Sequence, residues 1–342
     1  MAWSFGDGFD LYAAVADMTT GYWDSGSFAS VTLVAGRFAG SQAVQWASST
    51  NILTKSSSVN DAVHHLVLAI RQTAVLSGST LGYYLELFDG ATAQCSVVFR
   101  SDGALLLTSG GPGGTVLATY AGAISAQNTW FAFEIEVTIN NTTGGIAVRK
   151  NGSTSNDFSA ASLDTQNSAN AYANKLSVGL QAIFSSHQVD DLFWQSSAAA
   201  GTWLGDIRCY TRMPASDATA VFSRSTGATN YSCVDEAPLN TTDYVFSATP
   251  GDADFYGIAS IASTPASVVA VTTRGYMSKS DAGARTACVQ MKSGGTTVAS
   301  TTLTLSTSWG WTWRTDMTDP ATSTAWTAAG VNAVQIGPKT IA

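Results

Sequence analysis

The feature that most constrains this chain is a period of two. Phe131, Phe133, Ile135, Val137 and Ile139 alternate with Ala132, Glu134, Glu136 and Thr138. Successive side chains of a strand point to opposite faces, so this run predicts one strand with a buried face and a polar one. The same grammar recurs upstream. Tyr83 to Phe88 meets Asp89-Gly90, Cys95 to Arg100 meets Asp102-Gly103, and Ala104 to Thr108 follows, which predicts a meander joined by tight turns. Downstream, Ile146 to Lys150 runs into Asn151-Gly152, a pair suited to the positive φ angles of a two-residue hairpin. Further strands are predicted at 30–38, 63–71, 175–182 and 189–195. Gly110-Gly111-Pro112-Gly113-Gly114 reads as a flexible loop.

Helical periodicity is nearly absent. Its best instance is residues 216–222 after Pro214, with Ser216 placed as a cap, inside a Gly-, Ser-, Asn- and Pro-bearing passage at 213–238. A new set of strands is predicted beyond it, at 245–248, 258–261, 268–276, 284–292, 297–305 and 332–337. With 342 residues, the chain is long enough for two cores. The expectation is an all-β chain: a sandwich over 1–212, a linker with a short helix at 213–238, and a second, smaller β-sandwich over 239–342.

Charge narrows the function. Only 12% of residues are charged, about half the usual globular share of roughly 25%. A neutral, hydroxyl-rich surface costs little to desolvate and suits burial in an assembly or contact with uncharged glycans. The net charge is −8, with the acidity concentrated before residue 208, and no basic cluster occurs. Nucleic acid is therefore not an expected partner. No stretch approaches the ~18 consecutive apolar residues of a membrane-spanning helix, so no membrane insertion is expected. Cys95, Cys209, Cys233 and Cys288 have neither redox nor zinc spacing and read as buried free thiols, with a disulfide between two of the later three as the alternative. The opening residues, Met1 to Asp10, lack a basic and then apolar leader, so no secretory signal is expected.

Several short signals in order resemble a known family. Trp3 to Tyr12, Gly36-Arg37-Phe38-Ala39-Gly40, Trp130 to Asn151-Gly152, Asp190-Asp191-Leu192-Phe193 and Leu204-Gly205-Asp206-Ile207-Arg208 resemble the concanavalin A-like, laminin-G-like jelly-roll sandwich in virion proteins of tailed bacteriophages. Val234-Asp235-Glu236, Asp254 to Ile258, and Asp319-Pro320-Ala321-Thr322 leading to Trp326 resemble the companion domain of such proteins. The resemblance implies a structural or accessory virion component, of tail-fibre, head-fibre or decoration type. It would contact other virion proteins and host-surface glycans. A symmetric homo-oligomer would raise avidity for weak ligands.

Three groups of residues are candidates for chemistry. Glu134 and Glu136 share a strand face, as the paired acids of glycosidases on this fold do. The family's Glu-x-Asp-x-x-Glu pattern is broken here, because Ile139 stands at the last position. The pair therefore reads as a solvated outer face, with sugar or calcium binding as the functional alternative. Asp190 with Asp191, and Asp252 with Asp254, are candidate calcium ligands or plain turn formers. Trp309, Trp311 and Trp313 alternate with Gly310 and Thr312, forming either a sugar-stacking or interface platform or the inner face of the second sandwich. His64 and His65 point to opposite faces and His187 stands alone, so no catalytic pair is evident. The expectation is a protein that is not an enzyme. A glycan-cleaving hydrolase and a non-viral bacterial lectin or adhesin are the alternatives.

Overall fold

The computed structural model describes residues 3–47, 52–181, 187–197, 201–261 and 265–342. Among these, strands dominate. The exceptions are two 3-10 turns at Val15–Thr19 and Tyr231–Cys233 and one short helix, Ala328–Asn332. The chain divides into two compact units. The first comprises Met1–Asp10, Ala14–Ala16 and Trp23–Cys209, and the second comprises Leu11–Ala13, Asp17–Tyr22 and Tyr210–Ala342.

The first unit is a jelly-roll sandwich of two antiparallel sheets. One has eight strands, in the order Phe158–Leu163, Gly144–Lys150, Trp130–Thr138, Val63–Gln72, His187–Ser197, Gln42–Trp46 and Val31–Ala35, with Trp3–Asp7 also beside His187–Ser197. The other has seven, in the order Val116–Tyr120, Leu105–Ser109, Thr92–Arg100, Leu81–Asp89, Ala173–Leu180, Ile52–Asp61 and Ser25–Gly26. Phe133, Ile135 and Val137 are wholly buried, as the alternation predicts. Phe133 meets Phe99 of the facing sheet edge-on at 5.2 Å, and Trp46 meets Tyr83 at 5.3 Å. Each such ring contributes about 2 kcal/mol by leaving water.

Local differences from the sequence reading have local causes. Asn151 and Gly152 do take positive φ, 53° and 75°. They form the tight turn, Ser153 N donating to Lys150 O at 3.1 Å, but the segment it leads into pairs with the preceding strand only from Phe158, opposite Val148. Asn151 also bonds the neighbouring strand, its N–H donating to Ala132 O at 2.8 Å and its Oδ1 accepting from Ala132 N at 2.9 Å. The Gly110–Gly114 loop is tightly bonded rather than flexible. Gly114 N donates to Gly111 O at 2.9 Å, and a Cβ at Gly114 would stand 1.8 Å from Ser109 O. All four cysteines are free, but Cys209 is half-buried, unlike Cys95, Cys233 and Cys288. Of the strand predicted at 175–182, Ala182 lies outside the described residues.

The second unit has a six-stranded sheet, in the order Pro214–Thr219, Phe255–Ile258, Gln335–Thr340, Thr286–Ser293 and Thr296–Ala299, with Leu303–Thr304 also beside Thr286–Ser293. A two-stranded ribbon, Val271–Met277 with Gly310–Asp316, lies against it. Met291, Trp326, Val331 and Val334 form its core, with Ile258, Val271 and Ile336 packed around them. The helix predicted at 216–222 is absent: Pro214–Thr219 is a strand paired with Phe255–Ile258. The N–H groups of Val221 and Phe222, which a helix would need, both donate to Asp254 Oδ1, at 2.5 and 2.9 Å. Ser216 therefore caps nothing.

Candidate functional site

Glu134 and Glu136 do project from the outer face of the eight-stranded sheet, but that face is not open water. The backbone at 201–205 crosses it. Both Glu134 oxygens are taken, Oε1 by the N–H of Leu204 and Oε2 by that of Gly205 at 2.8 Å. Glu134 is only 3% exposed. Burial raises its pKa while the two N–H donors pull it down. Glu136 accepts from Gly201 N and lies 3.4 Å from His65 Nε2. Trp203 completes the crossing, its ring under the Arg149 guanidinium at 4.1 Å and edge-on to His65 at 6.1 Å. The expected solvated face is thus overturned at Glu134, because the covering segment comes from some seventy positions downstream. Glu136 borders a groove of about 210 Å³ floored by Gly144, Gly145, Ala147 and Ser159. Among the described residues it is the carboxylate that lines this groove, with no second acid opposite.

Asp190 and Asp191 sit where the strand His187–Ser197 bulges against Val63–Gln72, Asp191 with φ 52°. Asp190 Oδ2 accepts from Arg37 N at 2.7 Å and from the Ser41 hydroxyl at 3.3 Å. Asp191 Oδ1 accepts from Cys209 N at 2.8 Å. Arg37 in turn grips Asp206 with two 2.6 Å bonds. Burial raises the pKa of both aspartates, and Asp190 adds to the rise at Asp191. The pair ties loops together.

Asp254 is fully buried. Besides Val221 and Phe222, it accepts from Asn230 Nδ2 at 2.8 Å and the Tyr256 hydroxyl at 2.6 Å, so four donors fill its carboxylate. Asp252 accepts from Ser247 at 2.6 Å and does not join Asp254 in a cluster. Among the described residues no group of three or more His, Cys, Asp or Glu is arranged to hold a metal ion.

The tryptophan row divides its labour. The face of the ribbon that turns to the sheet carries Thr312 and Gly275: Thr312 bonds Ser300 at 2.7 Å, and a Cβ on Gly275 would lie 3.2 Å from Val289. The tryptophan face is therefore not the inner face of the sandwich. It is covered by Tyr12, Asp17 and Tyr22, which sequence distance hid. Trp311 packs edge-on to Tyr12 at 6.1 Å and donates to Asp17 O at 2.9 Å, while Trp313 meets Tyr22 at 5.4 Å. Arg274 lies over Tyr22 at 3.3 Å. Trp309 is different. It stacks on Tyr276 at 5.6 Å and 18°, and approaches Tyr244 at 6.4 Å. Tyr244 and Phe246, 41% and 49% exposed, extend the rings outward. The result is a ledge of Phe246, Tyr244, Trp309 and Tyr276 on the second unit. The sequence reading missed its outer half, for which the alternation Tyr244-Val245-Phe246 was the available signal.

Fold and surface together define a two-unit, all-β protein in which Glu134, Asp190, Asp191 and Asp254 are bonded internally and in which, among the described residues, the exposed aromatic side chains Tyr244 and Phe246 lie on one ledge. No protein-family model matches the chain, and no curated protein matches it. Among solved structures, the chain is similar to the catalytic domain of a glycoside hydrolase family 131 protein from Coprinopsis cinerea, with 13% identity over 60% of this chain and 97% of that one and a TM-score of 0.38. It is also similar to a carbohydrate esterase from the Shiga toxin-encoding bacteriophage phi24B, with 15% identity over 55% of this chain and 98% of that one and a TM-score of 0.36. A Caenorhabditis elegans galectin is similar at 13% identity over 49% of this chain and 97% of that one, with a TM-score of 0.29. None of these likenesses assigns a function.

Proposed function

We propose that this chain is a non-enzymatic surface protein of a bacteriophage particle, assembled as a homo-oligomer among other virion proteins, that attaches the particle to uncharged host-surface glycans. The carrying observation is the aromatic ledge. Tyr244 and Phe246 lie in solvent beside the Trp309–Tyr276 stack, an arrangement of flat apolar faces with polar edges that suits the faces of sugar rings. The locked carboxylate of Glu134 supports a binding role over a cleaving one, since two-acid hydrolysis needs one carboxyl free to give its proton to the leaving group and the other free to activate water or attack the sugar. The sparse charge and the succession of virion-like segments support the setting.

The test is glycan binding by the intact chain and by Trp309→Ala and Tyr244→Ala. Each substitution is expected to weaken binding about tenfold, roughly 1.4 kcal/mol. Unchanged binding in both variants rejects the ledge. A hydrolase is the second reading, favoured by the groove beside Glu136. New reducing ends from host polysaccharide, lost in Glu136→Gln, would establish it.

A further inference from the structure

The outer face of the seven-stranded sheet holds an arrangement of a different kind. Strand register aligns Thr108, Ser96, Glu86, Ser177, Thr54 and Ser25 in a single row across six strands. Five are hydroxyl residues and one is an acid. At one end the Gly110–Gly114 loop folds over the row: Ser96 donates to Gly110 O at 2.9 Å and Thr108 to Gly111 O at 3.0 Å. At the other end Ser25 is exposed and Thr54 half-buried, their hydroxyls 2.5 Å apart. Glu86 sits between, at the loop's edge, where a Cβ on Gly111 would be 3.3 Å from its Oε1.

Glu86 is 9% exposed, yet among the described residues its carboxylate has no hydrogen-bond partner. A largely buried carboxylate without protein donors is costly, and its oxygens, which are not among the fully enclosed unpartnered atoms, are left to take donors from water or from a ligand. Burial accordingly pushes its pKa up to about 7, against the opposing pull of Lys175. Ser96 and Thr108 are buried and their hydroxyl protons are spent on loop carbonyls, so in this part of the row Glu86 is the acceptor left and a ligand must bring the donors. A cation is disfavoured, because the row supplies a single charge and Lys175, stacked over Phe88 at 4.2 Å in the flanking row, repels it. A lone acid also excludes two-acid hydrolysis.

We infer that this row is a second binding site, for a neutral, hydroxyl-rich ligand of the saccharide class, with Glu86 accepting hydrogen bonds from ligand hydroxyls. It rests on the glycan-attachment reading for its ligand class but uses none of the ledge residues. The loop that closes one end is fixed before the ligand arrives, Gly110 N donating to Gln94 O at 2.9 Å, so little ordering cost falls on binding.

The probes are neutral trisaccharides of glucose, galactose, mannose and N-acetylglucosamine, with calcium chloride as the cation control. The readouts are the Glu86 carboxyl resonance in the full chain, assigned with E86Q, and affinity in wild type, Trp309→Ala, Glu86→Ala and Glu86→Gln. At least one saccharide should move the resonance, and Glu86→Ala should weaken that saccharide's binding about tenfold in the Trp309→Ala background. Glu86→Gln, which keeps the shape, should weaken it less. If Trp309→Ala abolishes all binding and no saccharide moves Glu86, this inference falls and the ledge stands. If Glu86 responds and Trp309→Ala binds normally, the ledge falls and this site stands. A resonance moved by calcium alone overturns the site as proposed, and wild type that binds none of the panel overturns both.

Discussion

The first unit places two glutamates on its two outer faces and treats them oppositely. Glu134, on the eight-stranded sheet, gives each oxygen to a backbone N–H of the crossing segment. Glu86, on the seven-stranded sheet, is also buried and, among the described residues, receives no donor. Glu134 converts its burial into chain attachment, since a charge-assisted bond is roughly twice as strong as a neutral one. Glu86 keeps its burial as an unspent capacity to accept hydrogen bonds. The difference teaches that a buried acid is informative only with its donors counted: Glu134, read in sequence as solvated, is bonded to backbone through both oxygens, and the acid that attracted no notice has no donor among the described residues.

If satisfied acids are latches, the most satisfied one should matter most to stability. Asp254 has four donors and no exposure. Asp254→Ala is expected to cost about 4 kcal/mol by denaturant unfolding of the second unit, because it strands the buried Tyr256 hydroxyl, takes one of the two acceptors of Asn230 Nδ2 and releases the N–H groups of Val221 and Phe222. A loss below about 1 kcal/mol would mean that water replaces the carboxylate and that the latch is nominal. Glu134→Ala comes next, at about 3 kcal/mol from two charge-assisted bonds. Hydrogen exchange at Leu204 and Gly205 should quicken in that variant. Unaltered exchange would break the contrast with Glu86 from the Glu134 side.

The strand Trp130–Thr138 was fully legible in sequence, because alternation is local and its buried face carries the signal. What fills the other face was not. The donors to Glu134 lie seventy positions on, and the rings that cover Trp311 and Trp313 come from residues 12–22, nearly three hundred positions back. Residues 216–222 have a cap-like Ser and apolar spacing, yet Asp254, some thirty positions away, takes the N–H groups a helix requires. The Glu86 row was invisible for the same reason, its members being gathered by register alone. A weak trace did exist: within Tyr83 to Phe88, Glu86 interrupts an otherwise aromatic and aliphatic strand.

The open acid predicts a pH dependence of definite sign. Glu86 holds its proton in the folded chain up to about pH 7 and releases it near 4.3 when unfolded. The folded state therefore binds more protons between these values, so stability falls as pH rises from about 4 to 7 and then levels. Residual solvent contact limits the fall to about 2 kcal/mol. Of the neighbouring groups, burial pushes Tyr84 and Cys95 each up to about 12, so neither titrates in that window. Glu86→Gln should match wild type near pH 4 and exceed its stability by about 2 kcal/mol at pH 8. Parallel stability curves for the two proteins would show that Glu86 has a donor after all.

The smallest effect isolates the one charge that eases the burial of Glu86. Lys175 lies two positions from Ser177, in the row beside Glu86, and its ammonium favours the ionised carboxylate. At an effective dielectric near 20, such a neighbour is worth about 1 kcal/mol or less. Lys175→Met keeps an unbranched stem over Phe88, and so most of the packing, while removing the charge. The Glu86 carboxyl should then titrate higher by less than one pH unit, with thermal stability at pH 4 unchanged because the acid is neutral there. An unshifted midpoint would assign the raised pKa to desolvation alone, and a downward shift would require a donor near Glu86 that Lys175 had been displacing.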